Sequence, residues 1–372
     1  MSLRGDSLAP RKDVPKASAV LRDHWWWAPL AMLFKVALKA RHFAFDIGLL
    51  RARKGSLPSV VMGNITVGGT GKTPHVKALM EALAQRESPV RWAILSRGYG
   101  RSTTGFLRVE KDGTAADYGD EPLELCRKFP KSTVAVCEDR VAGISRLQTS
   151  GLADAVILDD GFQHRRLTPT YSILLVDSTQ PIDRDHFLPR GRLRDLPERV
   201  STADAVIITR CPDAMTKGDL RLWRHRLHMK PEQWLLHTGT AVEGLRDLRT
   251  KRYSAWPRKA MAVSGIAHPG QFEADLNRNC RVTKHFSYPD HHVYTAKELA
   301  EWNAHFQNEL SGAEAIITTE KDASRLRHLD LPEGVPFLVM GQAIKWWDDD
   351  ALQSLLTSIL SRVDASRSET DI

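Results

Sequence analysis

The sequence predicts an α/β protein: a doubly wound, mainly parallel sheet with a second, smaller α/β domain. Three observations indicate this fold class. An apolar strand runs into a glycine-rich turn and a helix at residues 60–74. Further apolar strands alternate with helical segments up to about residue 209, and a separate strand–helix series begins near residue 261. Such alternation is typical of domains built on parallel sheets.

The glycine-rich turn has the composition of a phosphate-binding loop. Residues 60–74 read Val-Val-Met-Gly-Asn-Ile-Thr-Val-Gly-Gly-Thr-Gly-Lys-Thr-Pro. Close glycines let successive N–H groups point inward, and the helix that begins near Lys72 adds the positive end of its dipole. Lys72 supplies charge for the outer phosphates, and the hydroxyl of Thr73 suits Mg²⁺.

The strict motif fails at one position, where Thr66 stands in place of glycine. A glycine-rich turn without nucleotide is therefore the alternative to a P-loop NTPase-like fold, which we favour because a strand precedes Gly-Lys-Thr and a helix follows it. The predicted nucleotide-binding residues are Thr66, Gly68, Gly69, Thr70, Gly71, Lys72 and Thr73.

Composition limits the classes of partner. A chain of 372 residues can hold two domains, and its formal net charge of +8 favours anionic partners such as a nucleotide, a phospholipid surface or a phosphorylated substrate. No basic-aromatic module supports a nucleic-acid partner, so we expect none. The four cysteines show no CxxC spacing, which argues against a disulfide framework and fits a reducing compartment.

The N-terminal region combines a polar tail, residues 1–24, with an amphipathic segment, residues 25–54. After Trp25-Trp26-Trp27, a helix is predicted from about residue 29 to residue 53. Lys35 and Lys39 interrupt it too early for a bilayer span. Its basic stripe, apolar face and tryptophans suit a helix lying in the lipid headgroup layer. A helix packed on the protein's own core, with the tryptophans buried, is the alternative.

Acidic residues mark two predicted element ends. The strand at residues 154–159 ends in Asp159-Asp160, which downstream of a P-loop predicts carboxylates that hold Mg²⁺. Asp120-Glu121 opens a helix. These two residues are either capping residues or a metal-facing carboxylate beside one that faces the reacting hydroxyl.

Basic residues mark candidate anion contacts. Arg140 stands at a predicted helix N-terminus, against the helix dipole, and is expected to hold an anion. Arg190, Arg192 and Arg194 alternate in a Pro/Gly loop that suits an anionic substrate, with a solvated basic loop as the alternative.

The C-terminal part is predicted to contain a linker at residues 241–258, a smaller domain at residues 259–363 and a tail at residues 364–372, after a core at residues 55–240. Asp290-His291-His292 is either a polar loop or a weak metal motif. Glu320-Lys321-Asp322 lacks the spacing of a guanine-reading motif, which weakens the alternative function of a nucleotide-dependent switch protein.

Taken together, the motifs resemble the tetraacyldisaccharide 4'-kinases of lipid A synthesis. They stand in the family's order and cover about residues 41–340, and Thr66 matches the family's own pattern. The segments that carry the resemblance are 61–74, 96–100, 119–122, 159–164, 290–291 and 319–323.

The resemblance implies an ATP- and Mg²⁺-dependent kinase that is peripheral to the cytoplasmic face of the Gram-negative inner membrane. Its implied reaction moves the γ-phosphoryl group of ATP to the 4'-hydroxyl of tetraacyldisaccharide 1-phosphate, the lipid A disaccharide precursor, and forms lipid IVA.

The resemblance also implies residue roles. Asp120 would be the base for the sugar hydroxyl, with His291 orienting it and Lys72 acting on the phosphates. Whether His291 or the adjacent His292 acts stays open. The implied metal-binding residues are Thr73, Glu121, Asp159 and Asp160, and the implied substrate-binding residues are Arg140, Gln163, His164 and Arg192.

Overall fold

The computed structural model describes residues 25–370 apart from positions 87, 267, 291, 309, 311, 327 and 328. The predicted N-terminal tail and His291 therefore lie outside the described residues. The chain forms two compact units. The larger comprises Trp27–Arg246 and Met340–Ile372, and the smaller includes Asp247–Val339.

The strands are short and mostly buried. In chain order they are β1 (Arg53–Lys54), β2 (Ser59–Gly63), β3 (Trp92–Ser96), β4 (Leu107–Arg108), β5 (Thr133–Val136), β6 (Ala155–Asp159), β7 (Leu167–Thr168), β8 (Tyr171–Asp177), β9 (Ala205–Thr209), β10 (Trp234–Asp247), β11 (Tyr253–Ser254), β12 (Lys259–Ser264), β13 (Arg281–Ser287), β14 (Ala315–Thr319) and β15 (Phe337–Trp346).

The helices alternate with these strands. They are α1 (Ala28–Asp46), α2 (Lys72–Ala84), α3 (Ala115–Tyr118), α4 (Asp120–Lys128), α5 (Arg140–Thr149), α6 (Lys217–Arg226), α7 (Pro269–Asn277), α8 (Ala296–Phe306), α9 (Glu320–Leu326) and α10 (Asp349–Thr370).

The larger unit is organised around a sheet with strand order β15-β10-β9-β8-β2-β6-β3-β5-β4. The pairs from β10 to β5 are parallel, and β4 runs antiparallel to β5. Apolar residues fill both faces of the sheet, with α2 and α10 packed on one core and α5 and α6 on the other. Burial on both faces explains why these strands read as continuous apolar runs.

The strands of the smaller unit follow the order β13-β12-β14-β15, in which β12 is parallel to both of its neighbours. Trp302, Phe337 and Met261 are completely buried in its core. The predicted α/β fold class, with a mostly parallel central sheet, is confirmed.

Three boundaries differ from the predictions. The expected linker at residues 241–258 contains the end of β10 and all of β11, and Leu245 and Leu248 within it are buried. The expected tail after residue 363 continues helix α10 to Thr370. That helix also packs on the core of the larger unit, not on the smaller domain to which it was assigned.

Helix α1 ends at Asp46, earlier than predicted, and contacts the larger unit through its polar side. His42 donates from Nε2 to Asp195 over 2.6 Å and accepts from Arg165 at Nδ1 over 2.9 Å. Arg165 also pairs with Asp46. Ala31 and Leu38 are buried as well, so the helix is docked by hydrogen bonds and ion pairs together with two apolar residues, while most of its apolar face is left uncovered.

That apolar face is exposed. Its exposed residues are Leu30, Met32, Leu33, Val36, Phe43 and Ile47. Trp25 and Trp26 are exposed as well, so the alternative with all three tryptophans buried is wrong. Among the described residues, no helix combines the length and apolarity needed to cross a bilayer.

Candidate active site

The predicted P-loop has the strand–turn–helix context that the motif requires. Buried strand β2 leads into the turn, and Gly68 and Gly71 adopt φ values of 104° and 86°. Only glycine enters this region at little cost, which explains both positions. From behind, Asn64 donates to the hydroxyl of Thr70 over 2.7 Å. The amino end of α2, at Lys72, is therefore presented as an anion-binding terminus.

Thr73 and Asp159 meet beneath the P-loop. The hydroxyl of Thr73 donates to Asp159 Oδ2 over 3.1 Å, which joins α2 to the carboxyl end of β6. Asp159 is buried, and its other oxygen, Oδ1, has no hydrogen-bond partner among the described residues. Burial, with repulsion from Glu121 and Asp160, raises the pKa of Asp159 to about 7. A buried carboxylate in this state is suited to a cation.

Asp160 lies in a different environment. Its backbone has φ 56°, an uncommon conformation for a residue with a side chain, and such strain clusters at functional sites. Burial acts to raise the pKa of its carboxyl, but Lys72 and Arg194 outweigh it and lower that pKa. Lys72 Nζ lies 3.7 Å from its Oδ2. The two adjacent acids thus have opposite pKa shifts.

Arg194 is the arginine of the 188–195 loop that reaches this site. It pairs with Asp160 and donates to the side chain of Asn64. Arg192, which the sequence singled out, instead pairs with Asp185 over 2.8 Å and donates to Gln180. Its predicted substrate contact stays a prediction. Sequence alternation alone could not distinguish these two arginines.

Asp120 and Glu121 form the first turn of α4, directly after Gly119, whose φ is 91°. Glu121 lies close enough to Asp159 to raise its pKa. This places the first turn of α4 near the Thr73–Asp159 pair. The role of Asp120 as a base stays a prediction.

Three of the predicted substrate-binding residues, Arg140, Gln163 and His164, make contacts within the larger unit. Arg140 is buried and donates to the carbonyls of Cys137 and Glu138. Its charge helps to lower the pKa of Asp160, so it faces the same cluster. Gln163 donates to the carbonyl of Asn64. Burial, with repulsion from Arg140, lowers the pKa of His164, which keeps this imidazole neutral near pH 7.

In the smaller unit, His292 is held by its neighbours. Its ring stacks on Tyr288 with centroids 4.5 Å apart, and its Nε2 lies 2.7 Å from Glu298. Lys321 pairs with Asp290 over 2.9 Å. Since His291 lies outside the described residues, its predicted catalytic role stays a prediction.

The donor set is compatible with Mg²⁺. No group of three His, Cys, Asp or Glu side chains that could hold one metal ion occurs in the described ranges. The predicted ligands Thr73, Glu121, Asp159 and Asp160 thus form no preassembled cage. A P-loop site needs none, because nucleotide phosphates and water complete the coordination of Mg²⁺. The hydroxyl of Thr73 and the unpartnered Oδ1 of Asp159 are oxygen donors of the kind this ion prefers.

Two residues that sequence reasoning missed contact the P-loop. His75 lies in the first turns of α2 and its Nδ1 is 2.7 Å from the carbonyl of Gly71. Arg210, directly after β9, donates to the carbonyl of Gly69 and pairs with Asp177. Neither lies in a recognisable motif, and only the fold brings Arg210 to the loop.

Comparison with known proteins identifies the family. Residues 23–361 match the family described as tetraacyldisaccharide-1-P 4'-kinase, LpxK. The chain belongs to this family. Membership confirms the resemblance seen in the sequence.

Relatives within the family match over most of their length. Tetraacyldisaccharide 4'-kinase of Parabacteroides distasonis is 36% identical over 82% of this chain and 84% of its own. That of Porphyromonas gingivalis strain W83 is 37% identical over 82% and 87%. That of Cytophaga hutchinsonii is 36% identical over 90% and 95%.

A solved structure of the family has the same fold. The crystal structure of LpxK from Aquifex aeolicus in complex with ATP is similar with a TM-score of 0.70 and 26% sequence identity. The similarity covers 90% of this chain and 98% of that one. A family member therefore binds ATP on this architecture.

Proposed function

We propose that this chain is an ATP-dependent lipid kinase, a tetraacyldisaccharide 4'-kinase. It transfers the γ-phosphoryl group of ATP to the 4'-hydroxyl of tetraacyldisaccharide 1-phosphate and forms lipid IVA. The observation that carries the proposal is the hydrogen bond between Thr73 and Asp159 beneath a P-loop, in a chain of this family.

In this proposal the P-loop holds the triphosphate. Backbone amides of residues 68–73 and the amino end of α2 donate to the phosphates, and Lys72 adds charge at the outer phosphates. Phosphoryl transfer depends on positioning and charge neutralisation more than on covalent chemistry. The pairing of Lys72 with Asp160 holds its ammonium close to the loop before the substrate binds.

Thr73 and Asp159 would hold Mg²⁺, with Glu121 and Asp160 around them. When bound, the ion neutralises phosphate charge and fixes the phosphate geometry. Burial and repulsion from Glu121 and Asp160 raise the pKa of Asp159, so a bound cation would stabilise the charged form of this carboxylate.

Asp120 would accept the proton of the 4'-hydroxyl, and His291 is proposed as a further catalytic residue. Asp120 lies beside Glu121 in the first turn of α4, whereas α2 begins with Lys72. A positioned general base typically contributes about 10²–10⁴-fold to the rate.

We also propose that the chain works peripherally at the cytoplasmic face of the Gram-negative inner membrane. The exposed apolar residues of α1 support this, because the helix docks on its own unit through His42 and Asp46 and leaves that face uncovered. An amphipathic helix of this kind inserts its apolar side at the headgroup boundary.

The test is transfer of radiolabel from [γ-³²P]ATP to tetraacyldisaccharide 1-phosphate in detergent. We expect a labelled lipid whose new phosphate is at the 4'-position, with ATP favoured over GTP. A disaccharide already phosphorylated at that position should take up no label. Release of the label only as inorganic phosphate would refute the proposal. Equal labelling of the substrate and of the disaccharide already phosphorylated at the 4'-position would refute it as well.

A further inference from the structure

Two carbonyl groups of the P-loop are held from outside the loop by side chains. The guanidinium of Arg210 donates through Nη2 to the carbonyl of Gly69. The imidazole of His75 lies 2.7 Å from the carbonyl of Gly71, which also accepts the backbone N–H of the same histidine over 3.0 Å. The peptides that follow Gly69 and Gly71 are thus both fixed at their oxygen atoms.

Fixing a carbonyl also fixes an amide. A trans peptide is planar, so its C=O and N–H point in opposite directions. With the oxygen of Gly71 held towards His75, the N–H of Lys72 points the other way, out of the amino end of α2. Glycines adjacent to these peptides would otherwise let the planes rotate at little cost.

Each holding side chain has its own support. Arg210 pairs through Nη1 with Asp177, a buried carboxylate at the end of β8 that also accepts from the backbone and hydroxyl of Thr179. The carbonyl of Arg210 accepts from the hydroxyl of Ser178 over 2.9 Å. The guanidinium is therefore clamped between the end of a strand and the P-loop.

The chemistry of His75 fixes its tautomer. A carbonyl only accepts, so Nδ1 carries the proton and donates to Gly71. In the neutral ring Nε2 must then accept, and the hydroxyl of Thr238 lies 2.9 Å away as its donor. Trp346 packs edge-on against the ring, with centroids 6.3 Å apart.

Arg210 also has an uncommon backbone. Its φ is 59°, in the left-handed region that a residue with a side chain rarely adopts. A residue held in this conformation is strained and persists only where its surroundings hold it there, which occurs most often at functional sites. Arg210 is thus strained in its backbone, and its side chain connects Asp177 to the P-loop.

We propose that Arg210 and His75 are positioning residues that hold the P-loop in its phosphate-binding conformation, supported by Asp177 and Thr238. The inference rests on the proposed function, in that the ligand of the loop is the triphosphate of ATP. Neither residue is required to touch the nucleotide; each acts through a peptide plane of the loop.

The experiment measures ATP affinity by calorimetry and steady-state kinetics on the full chain. Arg210→Gln should weaken ATP binding about ten- to hundredfold, or about 1.4–2.8 kcal/mol, as expected for the loss of a charged hydrogen bond. KM for ATP should rise in step, while kcat at saturating ATP and KM for the lipid stay near wild type. Arg91→Gln is the matched control, since Arg91 makes a two-point pair with Asp154 before β3 and β6.

Variants at three positions separate this role from a general loss of structure. Arg210→Gly removes the guanidinium and relieves the backbone strain, so it should weaken ATP binding without lowering the melting temperature of the ligand-free chain. His75→Leu should weaken ATP binding, whereas His75→Asn keeps a donor near Nδ1 and should recover part of it. Thr238→Ser should resemble wild type, and Thr238→Val should resemble His75→Leu.

Wild-type ATP affinity in Arg210→Gly, or a loss that raises KM for ATP and lipid together, would overturn the inference. Calorimetry separates that failure from failure of the proposed function. If the wild-type chain binds ATP but phosphorylates no lipid, the function is wrong, and the effect of Arg210 on ATP affinity still decides the inference.

Discussion

The hydroxyl of Thr73 and Oδ2 of Asp159 lie 3.1 Å apart, although the two residues are 86 positions apart in the chain. Thr73 lies in the first turn of the helix after the P-loop, and Asp159 ends a neighbouring parallel strand. In an open α/β sheet, ligands bind at the carboxyl ends of the strands. The pair therefore lies where the fold class places a nucleotide and its metal.

Asp159→Asn should reduce lipid phosphorylation by about 10²-fold or more, because the carboxylate that would hold the Mg²⁺ ion on the phosphates is lost. The variant should fold normally, since a neutral amide avoids the unfavourable burial of a charged carboxylate, which raises the pKa of the acid. Initial rates with [γ-³²P]ATP and a thermal melt measure both effects. Asp154→Asn, just before the same strand, is the control and should keep full activity. Unchanged kinetics in Asp159→Asn would contradict its role.

The two adjacent histidines should behave differently. His292 stacks on Tyr288 and contacts Glu298, so His292→Asn should lower the free energy of unfolding by about 1–3 kcal/mol with little change in kcat. His291→Asn should lower kcat about 10²-fold or more without a matching loss of stability. Denaturant titrations and kinetics on the two variants test the assignment, and the reverse pattern would make His292 the acting residue.

Charge on the exposed face of α1 should release the chain from membranes. Met32 and Leu33 are 67% and 64% exposed, and burying each in lipid is worth about 1.5–3 kcal/mol. Met32→Glu with Leu33→Glu should therefore cut sedimentation with vesicles of anionic phospholipid at least about tenfold. Leu222→Glu changes an apolar residue on α6 that is 57% exposed and should leave partitioning unchanged. If the α1 variant and Leu222→Glu were released from vesicles equally, α1 would not be the segment that contacts the membrane.

Stability should fall as the pH is lowered below neutrality, partly through His237. This buried imidazole accepts the backbone N–H of Met215 at Nε2 over 2.9 Å, so it must be unprotonated there. Burial lowers its pKa, against an opposing effect of Asp348. Because the folded pKa lies below the unfolded value of about 6.5, its stabilising contribution is complete above pH 6.5 and is lost as the pH falls.

Thermal melts between pH 7.5 and 5 test this. His237→Gln should flatten the decline but not abolish it, because burial also lowers the pKa of His75, to about 4, and that of His164. His225→Gln, at an exposed position on α6, should leave the slope as in wild type. A steeper slope in His237→Gln would contradict the assigned protonation state.

Local sequence predicted those elements of the candidate site in which the polar residues stand directly at the end of a strand or the start of a helix. The P-loop glycines and the Asp159-Asp160 strand end are local patterns, and the structure places them together because parallel strands share one carboxyl edge. The fold class was predicted from the alternation of apolar strands with helical segments. The end of α10 was misjudged because its last turns are polar, and only packing against α2 shows that the helix belongs to the larger unit.

Long-range contacts could not be predicted in this way. Arg194 and Arg192 alternate in one loop, yet only the first reaches Asp160, because the path of the loop decides which side chain points inward. Arg210 and His75 hold the P-loop through its carbonyls, a function without a sequence signature. The docking of α1 through His42 depends on Asp195, which lies 153 residues away in the chain.

The central claim is that residues 68–73 bind the phosphates of ATP, with the metal held by Thr73 and Asp159. A crystal structure of the full chain with Mg²⁺ and a non-hydrolysable ATP analogue tests it most directly. We expect the β- and γ-phosphates on the amides of this turn, Lys72 on the γ-phosphate, and metal density beside Asp159 Oδ1. Nucleotide bound elsewhere, with this turn empty, would contradict the account.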